Sequence, residues 1–221
     1  MTHEEILQGL FDNTLVGNAP EVKDLVNQGL ADQLSAESML YDGLIPSLEE
    51  VGARFERGDF FVPEMLIAAR AMQGALDILR PLLAETGVEQ VGTYVMGTVK
   101  GDVHDIGKNL VNIMLEGAGF TVHDLGVNVA PEVFVEKIVE HKPDVVGFSA
   151  FLTTTMPMFK ANINALEKAG LRDEVIVMVG GAPVTQEYAD AVGADGYAAD
   201  ASTAVRLAKD LIQRKRSQVT A

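Results

Sequence analysis

The sequence predicts an α/β protein in two parts: a four-helix bundle over residues 1–88 and, over 89–221, a domain built on a five-stranded parallel sheet. Two patterns carry this expectation. Apolar residues recur at helical spacing through the first part, whereas from about residue 90 short β-rich runs alternate with helical stretches. Size agrees, since 221 residues can bury one large core or two small ones.

Ile6, Leu7, Leu10 and Phe11 lay one apolar face along the first helix. APEVKDLVNQGL opens the second with Pro20 near its start. Ser35 is the expected N-cap of the third, SAESMLYDGLIPSLEEVGARF, which Pro46 should kink or split. GDFFVPEMLIAARAMQGALDILRPLL supplies the fourth, starting near Pro63. Four amphipathic helices with short connections imply a small bundle. AETGVEQ is a short hinge at most. The five strands are VGTYVM, FTVHDL, PDVVGFSA, EVIVMVGG and ADGYAA, each followed by a helical stretch. Such alternation implies right-handed βαβ units and a Rossmann-like (flavodoxin-like) sheet.

Composition narrows the function. A net charge of −15 argues against a nucleic-acid partner, which needs clustered Lys and Arg, and against docking on an anionic membrane. The absence of cysteine removes disulfides, thiolate metal sites, iron–sulfur ligation and thiol nucleophiles together. The N-terminus lacks the basic and apolar regions of a secretion signal, and no apolar run reaches membrane-spanning length, so the cytoplasm is the expected location.

In an open α/β sheet, ligands bind outside the C-terminal ends of the strands. The loops there read GTVKGDVHDIG, GVNVAP, SAFLTTTM, GGAPV and ADAST. The first contains neither GxGxxG nor GxxxxGK[ST], so a nicotinamide or P-loop nucleotide is not supported. It does contain Asp102-x-His104-x-x-Gly107. Residues two apart in an extended loop point to the same side, so the aspartate can hold one ring nitrogen and leave the other as a lone-pair donor. The bland alternative is a solvated loop histidine with acidic neighbours. A conventional protein metal site would need further ligands, and His3, His123 and His141 are scattered and read as structural. A single imidazole can still bind a metal whose other positions are filled by a macrocycle, haem or corrin.

The pattern continues in the later loops. After Gly107 come 41 residues and then Ser149–Ala150–Phe151; a further 28 lead to Gly180–Gly181. This resembles the cobalamin-binding signature of methionine synthase and the small corrinoid proteins of methyltransferase systems: DxHxxG, SxL and GG in order. The preceding helices, with FFVPEMLIAARAM, resemble the cap domain found beside it. Phe151 departs from the usual leucine. The resemblance implies that His104 replaces the cofactor's own base as the lower ligand of cobalt, with Asp102 behind it and the Thr155 hydroxyl extending the relay. Thr155 could instead serve as an N-cap for the helix after Pro157. The family also implies that Gly101, Val103, Asp105, Gly107 and Phe151 contact the corrin, and that Ser149, Thr153, Gly180, Gly181 and Ala201 house the displaced nucleotide tail. On the bundle, Phe61, Met65, Ala68 and Met72 share a helical face that, taken alone, reads as core sooner than as a cofactor surface; the resemblance implies that part of it covers the cofactor from above, with Phe61 and Met65 the candidates.

The function implied is a corrinoid methyl carrier. Its cobalamin, as Co(I), takes a methyl group from a substrate-specific methyltransferase, and a second methyltransferase passes it to tetrahydrofolate or coenzyme M. An ATP-dependent reductive activator would be a third partner. Methanol, methylamines, glycine betaine and aryl methyl ethers are all possible methyl sources. A cobalamin-dependent sensor is the alternative, although such regulators usually carry a DNA-binding domain. The small subunit of an adenosylcobalamin mutase shares DxHxxG but usually lacks such a helical cap. A phosphoacceptor receiver domain would need an Asp after the third strand, and VGFSAF has none.

Overall fold

The computed structural model describes residues 1–86 and 91–219. Its contacts divide the chain into a helical unit, Met1–Glu89 with Gly117–Gly119, and an α/β unit holding the remainder. The domain boundary expected at 88/89 lies outside the described residues.

The helical unit comprises α1 (His3–Leu15), α2 (Ala19–Ala31), α3 (Ala36–Ser38), a π-helical turn (Met39–Leu44), α4 (Ile45–Arg57) and α5 (Val62–Thr86). Thr2 and Glu5 form a reciprocal capping box that starts α1, and Ser35 accepts the Ser38 N–H at 3.0 Å to start α3. The stretch read as one third helix is divided into α3, the π-helical turn and α4, with Pro46 in the first turn of α4. Its ring would crowd the carbonyl one turn back, and the π turn just ahead of it, where Ile45 N–H reaches back to Leu40, gives the backbone the extra width. Ile6, Leu10, Val22, Met39, Leu44, Val51, Met65, Ala68 and Met72 are buried in the cores.

The α/β unit carries β1 (Gly92–Thr98), α6 (Ile106–Gly117), β2 (Phe120–Asp124), α7 (Pro131–His141), β3 (Val145–Ser149), α8 (Pro157–Lys168), β4 (Ile176–Gly180), α9 (Gln186–Val192), β5 (Gly196–Ala198) and α10 (Ala201–Val219). The strands form one parallel sheet in the order β2-β1-β3-β4-β5. The central strands β3 and β4 are buried until their last residue, as expected of a sheet covered on both faces, while edge strand β2 is half-buried. One face packs Val95, Val146, Phe148, Val177 and Val179 against Phe134 and Ile138 of α7 and Phe159, Ile163 and Leu166 of α8.

The chain leaves β1 to β2 on one side and then crosses to β3 on the other. Loops after β1 and β3 therefore diverge, and the crevice for a ligand opens at their shared edge. Register sets what lines it: Thr98 pairs with Ser149, Ser149 with Gly180, and Gly180 with Ala198.

Gly181 has φ +133°, and a Cβ on it would collide with the Ala150 carbonyl. At Gly180 a Cβ would sit 3.2 Å from the Ala198 carbonyl oxygen, tight but without a positive φ. Gly181→Ala should therefore lower stability by about 2–4 kcal/mol in urea unfolding, and Gly180→Ala by clearly less. Equal losses would contradict this account of the glycine pair.

Candidate functional site

The β1–α6 loop begins as a turn closed by Asp102 N–H to the Val99 carbonyl at 3.1 Å, with Gly101 at φ +85° in the position that demands a left-handed residue. It delivers Asp102 into complete burial. Oδ1 accepts the backbone N–H of His104 at 3.0 Å and its ring Nδ1–H at 2.7 Å. The pair is thus made by an Asx turn, which is more specific than the same-side alternation of an extended loop. Oδ2 accepts Phe151 N–H at 2.8 Å, Leu152 N–H at 3.2 Å and the Thr155 hydroxyl at 2.7 Å, all from the β3–α8 loop. Thr155 therefore meets Asp102 directly, and no side chain caps α8.

Burial works against the Asp102 charge. Hydrogen bonds from the Thr155 hydroxyl, the His104 backbone and ring, and the Phe151 N–H outweigh it, so the carboxyl is held below the usual carboxylate range. An ionised Asp102 fixes the His104 proton on Nδ1 and leaves a lone pair on Nε2. The His104 side chain is 44% exposed, and its Nε2 has no hydrogen-bond partner among the described residues. Val103 (68% exposed) on the same loop, Ile106 (73%) at the start of α6, and Phe151 (51%) and Leu152 on the β3–α8 loop supply an exposed apolar rim. One unpartnered lone-pair donor within an exposed apolar rim fits a flat, largely apolar macrocycle carrying a metal. Among the described residues no group of three or more His, Cys, Asp or Glu side chains is placed to hold a bare ion.

The remaining expected residues are distributed as follows. Gly101, Val103 and Asp105 lie on the same loop and Gly107 in the first turn of α6, where the Asp105 carbonyl accepts the Asn109 N–H at 2.7 Å. Ser149, Gly180 and Gly181 lie together at the β3 and β4 ends, where Ala150 N–H bonds the Gly180 carbonyl at 3.2 Å. Thr153 is exposed on the β3–α8 loop, and Ala201 is buried at the start of α10. Beside it, the buried Ser202 hydroxyl has no hydrogen-bond partner among the described residues. Met65 has no exposed surface, so it is core where a ligand-facing residue was expected; Phe61 is 64% exposed. His3 bonds the Asp32 carbonyl, and His123 and His141 stack on each other, as structural histidines.

Two supports escaped the sequence reading. Asn128, at φ +55°, accepts Gly101 N–H on its side chain at 2.8 Å and donates its own N–H to the Asp102 carbonyl at 2.9 Å. Asparagine is the residue most tolerant of that backbone region after glycine, which is the one signal GVNVAP offered. Lys108, buried on α6, places Nζ 2.7 and 2.6 Å from the two Asp124 oxygens, tying the helix start to the end of β2.

The Asp102 carboxylate has a lower pKa folded than unfolded, so its contribution is complete above the ordinary range, about pH 4, and is lost as pH falls through that range toward the native value. In the corrin-free protein, Asp102→Asn should cost about 2–4 kcal/mol at neutral pH, because an amide cannot accept every donor aimed at the carboxylate. That difference should shrink in urea unfolding below about pH 4. A difference constant from neutral pH to pH 3 would contradict the assignment.

Comparison with known proteins agrees with this geometry. Two models described as B12 binding domains match residues 92–206 and 6–80. The dimethylamine corrinoid protein of Methanosarcina barkeri is 44% identical over 96% of this chain and 100% of its own length. A corrinoid protein of Desulfitobacterium hafniense is 39% identical over 95% of the chain and 96% of its own. Among solved structures, a cobalamin-binding protein from D. hafniense superposes with TM-score 0.76 at 30% identity, covering 95% of this chain and 98% of that one. The methanol:cobalamin methyltransferase complex MtaBC of M. barkeri gives 0.83 at 26%, covering 95% and 80%. A fold, a histidine loop and a helical unit that all match cobalamin-binding proteins leave one conclusion: this chain belongs to the B12-binding corrinoid protein family.

Proposed function

We propose that the chain is the methyl carrier of a methylamine methyltransferase system in the cytoplasm, with dimethylamine the favoured methyl source. The observation that carries this is His104, held by a buried carboxylate on one nitrogen and presenting the other, unpartnered, inside an apolar rim. The substrate preference is supported by relatives named for dimethylamine that match 95–96% of the chain at 42–44% identity. The corrin cobalt supplies a centre that can take up a methyl group and release it again.

The chain's own residues do the rest. Asp102 keeps the proton on Nδ1 and leaves the Nε2 lone pair free, so that His104 would hold the cobalt. The Thr155 hydroxyl has one hydrogen and two acceptors in reach, Asp102 Oδ2 at 2.7 Å and the Leu152 carbonyl at 2.8 Å. When Asp102 is ionised that hydrogen serves the carboxylate. When a proton arrives on Oδ2, the hydroxyl can turn to Leu152 and accept it, so that proton and the Thr155 hydroxyl both keep a partner. The pair can therefore take up and give back a proton, and a protonated pair holds a metal less firmly. Gly101, Val103, Asp105, Gly107 and Phe151 would contact the corrin. Ser149, Thr153, Gly180, Gly181 and Ala201 would receive the nucleotide tail. Phe61 is the residue of the two bundle candidates with apolar surface open to a ligand. The partners are a substrate methyltransferase, an acceptor methyltransferase acting on coenzyme M or tetrahydrofolate, and an ATP-dependent reductive activator.

Reconstitution with hydroxocobalamin tests this reading. Wild type should retain a single corrin per chain with a base-off, histidine-on absorption spectrum, and His104→Ala should lose that spectrum. Asp102→Asn should weaken the histidine–cobalt bond by roughly 10–100-fold. With reduced, loaded protein, a dimethylamine-specific methyltransferase should transfer methyl groups faster than methanol- or monomethylamine-specific ones. Wild type that retains no corrin would overturn the carrier reading, and faster transfer by another methyltransferase would overturn the substrate.

A further inference from the structure

Phe151 touches both members of the ligand pair. Its backbone N–H donates to Asp102 Oδ2 at 2.8 Å, and its ring lies on the His104 imidazole with centroids 4.4 Å apart and planes 26° from parallel. With the 2.7 Å bond from His104 Nδ1 to Asp102 Oδ1, the three residues close a cycle.

We infer that Phe151 is a positioning residue that sets the ring plane of His104. Its consequence for ligation rests on the carrier reading; its geometry does not. The ring hangs from Cβ and is held at Nδ1 by one hydrogen bond, which still allows coupled rotations about χ1 and χ2 that tilt its plane. A stacked ring removes that freedom, because sliding or tilting the imidazole loses contact across the whole face. The aim of Nε2 is then fixed before any ligand arrives, and the ordering is not charged against binding. A leucine, usual in the signature this loop resembles, has no flat face to offer.

The ring's exposure supports a role at the site. Phe151 is 51% exposed, so core packing does not account for a phenylalanine here. Its stack covers one face of an imidazole whose far nitrogen stays open.

The test compares wild type with Phe151→Leu and Phe151→Tyr. In the corrin-free proteins, the His104 ring protons should be shifted upfield by the neighbouring aromatic ring in wild type and Phe151→Tyr, and return toward ordinary positions in Phe151→Leu. After loading with cobalamin, the ratio of histidine-on to histidine-off corrin at neutral pH should fall roughly two- to tenfold in Phe151→Leu and recover in Phe151→Tyr. Urea midpoints of all three should nearly coincide, which separates positioning from a folding defect. His104 shifts indifferent to Phe151→Leu, or an unchanged histidine-on ratio, would overturn the proposal. If wild type takes up no corrin, the carrier reading fails, and the proton shifts alone decide whether Phe151 holds the ring.

Discussion

The site depends on keeping one carboxylate charged where water cannot reach it. Removing an ion from water costs several kcal/mol unless protein groups replace its hydration. Asp102 obtains that replacement from five donors: two on His104, the Phe151 and Leu152 N–H groups, and the Thr155 hydroxyl. They come from the loops after β1 and β3, so the anion ties those loops together across the point where the chain reverses its path through the sheet. Asn128 brings the loop after β2 into the same assembly through Gly101 and the Asp102 carbonyl. Removing the charge would weaken the tie between the loops after β1 and β3, while the Asn128 bonds, which go to backbone groups, would remain.

The same arrangement explains why a widely spaced motif describes one place. Between Gly107 and Ser149 the chain completes α6, β2, α7 and β3; between Phe151 and Gly180 it completes α8 and β4. Each return along a parallel strand ends at the same edge, and register sets Ser149 beside both Thr98 and Gly180. The intervals are thus the lengths of helices and strands needed to come back to the crevice. Gly181 then lets the β4 exit pass against the Ala150 carbonyl, where a side chain would collide.

What the sequence disclosed, and what it withheld, follows from the range of the interactions. Periodicity and local chemistry located the helices, the five strands, the Ser35 cap and the Asp102–His104 pair, all of which depend on neighbours a few residues apart. The parallel, flavodoxin-like sheet followed from rules about connections. Interactions that depend on packing between distant segments were not legible. A π turn precedes Pro46, Asn128 bonds a loop 27 residues earlier, and Met65 is core, the reading its helical face favours on its own. The departure from leucine at Phe151 was visible in the sequence. Its stack on His104 was not, because side-chain planes are set by three-dimensional placement.

The central claim is that His104 Nε2 is the group this fold prepares for the cobalt. The most direct measurement is electron paramagnetic resonance of the cobalamin-loaded, one-electron-reduced protein, made once with ordinary histidine and once with histidine labelled with the heavy nitrogen isotope. The account predicts that the nitrogen superhyperfine pattern changes from triplets to doublets on labelling, because the axial nitrogen belongs to the protein. Triplets that persist in the labelled protein would show that the cofactor keeps its own base, and would contradict the account.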